Sequence, residues 1–338
     1  MQFIQTRPRK CSLRSLASKA GALLLAIAAL SGCVEAYGGP VVAPSEPMFI
    51  GGSEPRALGP LQRVAESDVH LVRKDVPLGT IAVSTTTFDM DTTVRASSAL
   101  RSVEIRVTEH QGRAIRVQSL DESLEGFFRF RLEYLKDKSI SLPEETEGAK
   151  PSPVAGNTYL VKVGFDGARV VGDGGRIPDA DELKILEEDI GYLCSLVATK
   201  NDETDAPVTV DSVTLSVRKA FDREGMEVED IKVSYKGVRS VAGEPCVIFD
   251  IHVASVMRKS EPDQNLVVRM KLAGEYARRV ADGWEAEVFL TGTAITTGSI
   301  IKDGDVIRVN AAGHVRIHLA AKYRLSDVPS FSGSVAGR

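Results

Sequence analysis

Apolar and polar residues alternate with a period of two through most of the chain after residue 100, and this alternation fixes the fold class. Val103, Ile105 and Val107 are interleaved with Glu104 and Arg106, and Ile115 and Val117 follow a Gln111-Gly112 pair that reads as a turn. Phe128, Phe130, Leu132 and Tyr134 alternate with Arg129, Arg131 and Glu133. Tyr159, Val161, Val163 and Phe165 run into Asp166-Gly167, a strong hairpin signal. Ile231, Val233 and Tyr235 end at Lys236-Gly237. Further strands are read at Val247–Val253, Val268–Leu272 and Val315–Leu319, and Asp282-Gly283 reads as a turn. Successive side chains of a strand point to opposite faces, so each segment has one dry and one wet side. That is the signature of antiparallel sheets. Parallel sheets sandwiched between helices need nearly continuous apolar strands.

A single segment departs from this period. Leu183, Leu186, Ile190, Leu193 and Val197 recur at helical spacing, and Asp179 with Glu182 forms a capping box ahead of them. Asp181 stands in the first turn, where the helix dipole favours a negative charge. The segment Val213, Leu215, Val217 is read as more alternation. The expectation is therefore a mainly β protein, with one or more curved antiparallel sheets (half-barrel or sandwich) and one principal helix at about 181–199.

The first 32 residues differ from everything after them. A basic stretch from Arg7 to Lys19 precedes a ten-residue apolar run, Gly21 to Leu30. That is half of the roughly 20 residues needed to span a bilayer, and the layout is that of an export signal. The run ends in Leu30-Ser31-Gly32-Cys33, which resembles the lipobox of bacterial lipoproteins. The resemblance implies cleavage between Gly32 and Cys33 and a diacylglycerol on the Cys33 thiol. Val34 in place of Asp implies sorting to the outer membrane in a host that has one. Buried methylenes contribute about 0.8 kcal/mol each, so two or more chains hold a protein on a membrane. Residues 33–75 then read as a lipidated cysteine and a Pro/Gly-rich tether. The body is expected as two β-rich halves, 76–200 and 201–328, followed by a disordered tail at 329–338.

Charge narrows the partners. The formal net charge is -4, but five basic residues and no acid leave with the leader, so 37 basic residues face 46 acidic ones. A chain so acidic is a poor candidate for nucleic acid or for electrostatic adhesion to anionic lipid. Attachment to a membrane falls to the lipid.

Four cysteines occur. Cys11 goes with the leader and Cys33 carries lipid. Cys194 and Cys246 remain, in an oxidising compartment, and the expectation is a disulfide across a loop of about fifty residues contributing about 3–4 kcal/mol. Two buried free thiols are the alternative.

Candidate chemistry is thin. Asp89-Met90-Asp91-Thr92-Thr93 fits the Asp-x-Asp-x-Thr string of haloacid-dehalogenase-type phosphatases, but it lacks the apolar parallel strand that family needs and reads as a strand-to-turn segment. His314 and His318 share a strand face about 13 Å apart, too far for one metal. His70, His110 and His252 are scattered. Ser216 and Lys219 match Ser-x-x-Lys of penicillin-recognising enzymes, yet the period of two puts them on opposite faces. Gly172-Asp173-Gly174-Gly175 reads as a tight turn, without the basic residue of a phosphate loop.

No catalytic residue, metal or cofactor is expected. The reading is a non-catalytic envelope lipoprotein acting as a scaffold or assembly module, anchored by its lipid and meeting an envelope protein through a sheet edge or face. The alternative is a carrier of a lipid or other apolar ligand, as an element order and lipidation similar to LolA- and LppX-type lipoproteins would imply. A hydrolase with an unrecognised site stands third.

Overall fold

The computed structural model describes residues 3–4, 56, 58–66, 69, 71–74, 77–99, 102–122, 128–142, 152–164, 167–197, 207–223, 226–302 and 304–325. The lipobox residues Gly32 and Cys33, the leader after Ile4, the first part of the expected tether and the tail lie outside them.

The alternating segments become strands: β2 (Thr80–Ser97), β3 (Ser102–Glu122), β4 (Phe128–Leu142), β5 (Thr158–Gly164), β6 (Gly167–Gly172), β7 (Met226–Val241), β8 (Glu244–Glu261), β9 (Gln264–Arg279), β10 (Glu285–Lys302) and β11 (Asp305–Leu325), with β1 only Phe3–Ile4. Two helices, α1 (Ala180–Val197) and α2 (Val210–Arg223), separate β6 from β7. All the described strands are antiparallel in one sheet, ordered β1-β6-β5-β4-β3-β2-β11-β10-β9-β8-β7. The two halves therefore share a single sheet, and the sandwich alternative falls away. Among the described strands, β1 and β7 end the order without pairing to each other, so the sheet is open. Each half is a meander of neighbouring hairpins. The long-range join is between the first and last long strands, where Thr80–Ser97 pairs with Arg308–Leu325.

Register defines a helix-bearing face. Phe88 is opposite Ile317, which is opposite Leu290; Met90, Val315, Leu272 and Val253 lie along the next row. With Val213 and Phe221 of α2 and Leu71 from the segment before β2, they form the main core. A second cluster joins Leu186 and Ile190 of α1 to Ile115, Val117, Phe130, Leu132, Tyr159 and Val170 of β3–β6. Each such buried side chain stabilises by about 1.5–3 kcal/mol. Strands β9 and β10 approach each other closely at glycine. A Cβ on Gly274 would lie 1.9 Å from the Phe289 carbonyl oxygen, and one on Gly292 would lie 1.8 Å from that of Lys271. Only glycine permits so close an approach of the neighbouring backbone.

The structure corrects the sequence reading at four places. Val213, Leu215 and Val217 are helical: Val210, Val213, Val217 and Phe221 make the buried stripe, while Leu215 is 50% exposed. Thr209 and Ser212 exchange side-chain and backbone hydrogen bonds of 3.2 and 2.9 Å, starting the helix with a box that has Ser in place of Glu. Strand β3 passes straight through Gln111-Gly112. Strand β7 continues past Lys236-Gly237 through a bulge to Val241. The fourth concerns residues expected as tether: Leu58 and Gln62 pair with β7, Leu71 is buried in the main core, and Lys74 is hydrogen-bonded to Asp282.

Other readings hold. The helix at 180–197 is present, and its box is closed by Asp179 N–H to Glu182 Oε2 and Glu182 N–H to Asp179 Oδ1, both 2.8 Å. Among the described residues no helix is long and apolar enough to cross a membrane.

Candidate functional site

The most elaborate side-chain arrangement away from the helices is built where residues 56–62 cross the end of β7. Strand β7 is an edge, and edges attract stray pairing unless guarded. Its first two-thirds carries exposed Glu227, Glu229, Asp230, Lys232 and Lys236 and two bulges. The last four residues lack charge on that side apart from Arg239, and there another segment adds on. Leu58 bridges to Val241 and Gln62 to Val238, antiparallel. Gly59 N–H donates to the Ser240 carbonyl (2.8 Å), and Gln62 and Val238 exchange bonds of 2.8 and 3.0 Å. Gly237, at φ 139°, makes room: a Cβ there would sit 2.3 Å from the Gln62 carbonyl oxygen.

Two side chains pin this strap to the face opposite the helices. Arg56 forms a two-pronged ion pair with Glu287, Nε to Oε1 at 3.0 Å and Nη2 to Oε2 at 2.7 Å, and reaches Glu275 at 3.3 Å. Its guanidinium lies 4.5 Å over the Phe289 ring. Planar fork, paired carboxylates and aromatic face are the complement of arginine. Glu287 is 4% exposed, and His318 Nε2 lies 2.8 Å from its Oε1. Burial alone would push this carboxyl up, but the hydrogen bonds and charges of His318 and Arg56 outweigh it and hold the group at about 2. Glu275 is also held by Arg239 and faces Lys236. Leu58 packs on Val241, Cys246, Ile248, Ala277 and Ala286, a small cluster on the face away from the helices. Cys246, Val247, Ile248 and Phe249 of β8 are consequently buried on both sides. Beyond this groove, residues 61–66 are mostly exposed and the chain is pinned again. Leu71 enters the core, the Lys74 N–H donates to the Asp282 carbonyl (2.9 Å), and Trp284 Nε1 donates to the Lys74 carbonyl (2.8 Å).

The expected bridge between Cys194 and Cys246 is absent: Cys246 is a free, fully buried thiol, and burial pushes its pKa up to about 11. Strand order explains it. Helix α1, which carries Cys194, packs on β3, and β8 stands five strand spacings away, about 24 Å along the sheet, against the 4.4–6.8 Å a disulfide spans. The side chain of Cys194 lies outside the described residues.

The remaining candidates are dispersed. Asp89 and Asp91 sit mid-strand in β2 on the face opposite the helices, each buried and held: His110 Nδ1 is 2.6 Å from Asp89, and Arg106 grips Asp91 at 2.7 and 2.6 Å. This is a row of ion pairs on a strand rather than a phosphate loop. His314 and His318 do share that face, and only His318 joins the groove. Ser216 and Lys219, expected on opposite faces of a strand, are three apart on α2, and the Ser216 hydroxyl donates to the Ser212 carbonyl (2.9 Å). Residues 173–175 form a short 3-10 turn after β6. Among the described residues no group of three His, Cys, Asp or Glu could hold a metal. Sequence reasoning missed Arg56, Glu275, Glu287 and Gly237. One signal was available: Arg56 is the only cation between residues 34 and 60.

No family model matches the chain, and no curated protein does. Comparison with solved structures returns the COG4313 outer membrane channel from Pseudomonas putida F1 (8% identity, 77% of this chain and 100% of that chain, TM-score 0.19). It also returns OccK7 from Pseudomonas aeruginosa (9%, 72% and 100%, TM-score 0.21) and a DUF1329 family protein from Desulfovibrio piger (9%, 72% and 87%, TM-score 0.10). TM-scores this low assign neither fold nor function.

Proposed function

We propose that the protein is a lipid-anchored lipoprotein of the cell envelope that works by binding a protein partner and performs no catalysis. Lipid on Cys33 supplies the attachment, with the outer membrane as the destination where the host has one, and the end of β7 supplies the contact. The observation that carries this reading is the groove, which already holds an extended segment by backbone pairing, an ion pair and an apolar pocket. Those are the components of recognition by strand addition.

Two measurements test it. Mass spectrometry of the mature N-terminal peptide should find it starting at Cys33 with an acylated thiol, and Cys33→Ala should release the protein from membranes. A photo-crosslinking amino acid placed in cells at Ser240 should give a discrete adduct that the same group at Lys184 of α1 does not. An unmodified N-terminus, or identical adducts from both positions, would overturn the reading.

A carrier of an apolar ligand is the second reading, favoured by one observation. Thr92, Ser255 and Thr296 point to the helix-bearing face, are at most 2% exposed, and their hydroxyls have no protein partner. Buried hydroxyls normally have one. Native mass spectrometry of protein from its own host should then show co-purified lipid.

A further inference from the structure

We propose that residues Arg56–Gln62 are a displaceable occupant of the β7 groove. Its external ligand is then an extended segment, from another envelope protein, with Arg at one position and Leu two residues later. The inference deepens the interaction-module reading and rests on it.

The groove's chemistry states what it selects. Glu287 and Glu275 present two carboxylates to one guanidinium lying over Phe289. An ammonium would keep the charge and lose the second prong and the stacking. Two residues further along an extended chain, the same face returns, and there Leu58 packs against Val241, Cys246, Ile248, Ala277 and Ala286. Two of the five are alanines, whose small side chains suit an apolar branched residue set against them. Backbone pairing from Ser240 and Val238 fixes direction and register without regard to sequence.

The strap is also built to leave. It touches β7 through two isolated bridges rather than a continuous ladder. Leu61 is 41% exposed, and residues 61–66 are mostly exposed between the groove and the anchor at Leu71. The first part can therefore detach while the core stays packed, the kind of low-cost local opening that precedes binding. Detachment would uncover the Cys246 thiol, a built-in reporter.

The probe is a fluorescein-labelled peptide with the sequence of residues 54–64, titrated into the full chain and into the Arg56→Ala/Leu58→Ala variant. Fluorescence anisotropy should show at least tenfold tighter binding to the variant, whose own strap competes less. Replacing the peptide's first arginine, the one that matches Arg56, by lysine, or adding Glu287→Gln to the variant, should weaken binding at least tenfold. Cys246 should react with a thiol dye in the variant and become protected again when the peptide is added. A variant that keeps a native circular dichroism spectrum yet neither binds the peptide nor exposes Cys246 would overturn the proposal and make the strap a fixed part of the fold. Peptide binding without any edge-specific adduct in cells would instead sink the partner reading and leave the groove's specificity standing.

Discussion

Among the described residues two helices lie on this sheet, both on apolar clusters, and buried ion pairs set one apart from the other. Helix α2 docks on the β7 side with Val213 and Phe221, an apolar stripe on an apolar face. Helix α1 brings two carboxylates to its interface. Glu182, 2% exposed, accepts from both Arg176 nitrogens (2.6 and 2.7 Å), Tyr159 Oη (2.6 Å) and Asn157 (3.0 Å). Asp189, 5% exposed, accepts from Arg113 (2.7 and 2.8 Å) and Tyr134 Oη (2.6 Å). Burying an ion pair adds little net stability, because desolvation consumes much of the attraction, but it allows one arrangement of its partners. The half with α1 thus adds a fixed geometry to the apolar contacts of Leu186 and Ile190, while the half with α2 relies on apolar burial. The strap repeats the first strategy on the second half, with Arg56 and Glu287 as the pair.

Breaking each helix in its own currency sharpens the contrast. Asp189→Ala leaves Tyr134 without its acceptor and Arg113 with Asp137 alone, and should cost about 3 kcal/mol in urea unfolding. Asp189→Asn, which still accepts from Tyr134, should cost less. Phe221→Ala removes one buried ring under α2 and should cost about 3 kcal/mol. Equal costs for the two Asp189 variants would mean that the hydrogen bond kept with Tyr134 adds nothing, and an Asp189→Asn variant as stable as the parent would mean that the charge plays no part in holding α1.

Acid should separate the two helices as well. Hydrogen bonds from Arg176, with smaller help from Tyr159, hold the Glu182 carboxyl at about 2 against the upward push of burial. A carboxyl lowered on folding contributes stability that is complete above its unfolded value, about 4.3, and is lost as pH falls towards 2. Hydrogen exchange should therefore show α1 losing protection across that window while α2 keeps its own. The strap, through Glu287, should loosen with α1. Simultaneous loss in both helices would indicate a single cooperative unit and erase the distinction.

Legibility in the sequence followed locality. Strands such as Val247–Val253 and the Asp179/Glu182 box were readable because a short window contains everything they need. Helix α2 was misread because Val213, Leu215 and Val217 satisfy both periods, and only packing shows that Leu215 faces water. The smallest prediction rests on that point. Leu215→Ser should change stability by no more than about 0.5 kcal/mol, as for other exposed sites, where a strand core position would lose several times more. The Cys194–Cys246 pairing failed for a different reason: spacing along the chain carries no information about the order β3-β2-β11-β10-β9-β8 that separates them. The groove was illegible because Arg56, Val238, Glu275 and Glu287 meet only after β7 to β10 are assembled, and Pro and Gly around Arg56 look like any loop.

That last contact is the one on which the account turns, and a covalent trap tests it directly. Leu58 and Cys246 share one cluster across the strap and β8. In a chain carrying Leu58→Cys, with Cys11, Cys33 and Cys194 replaced by Ala, mild oxidation should give a rapid intrachain disulfide and a monomer of increased gel mobility. Two thiols that stay reduced, or that link only between chains, would show that the strap does not lie along β7.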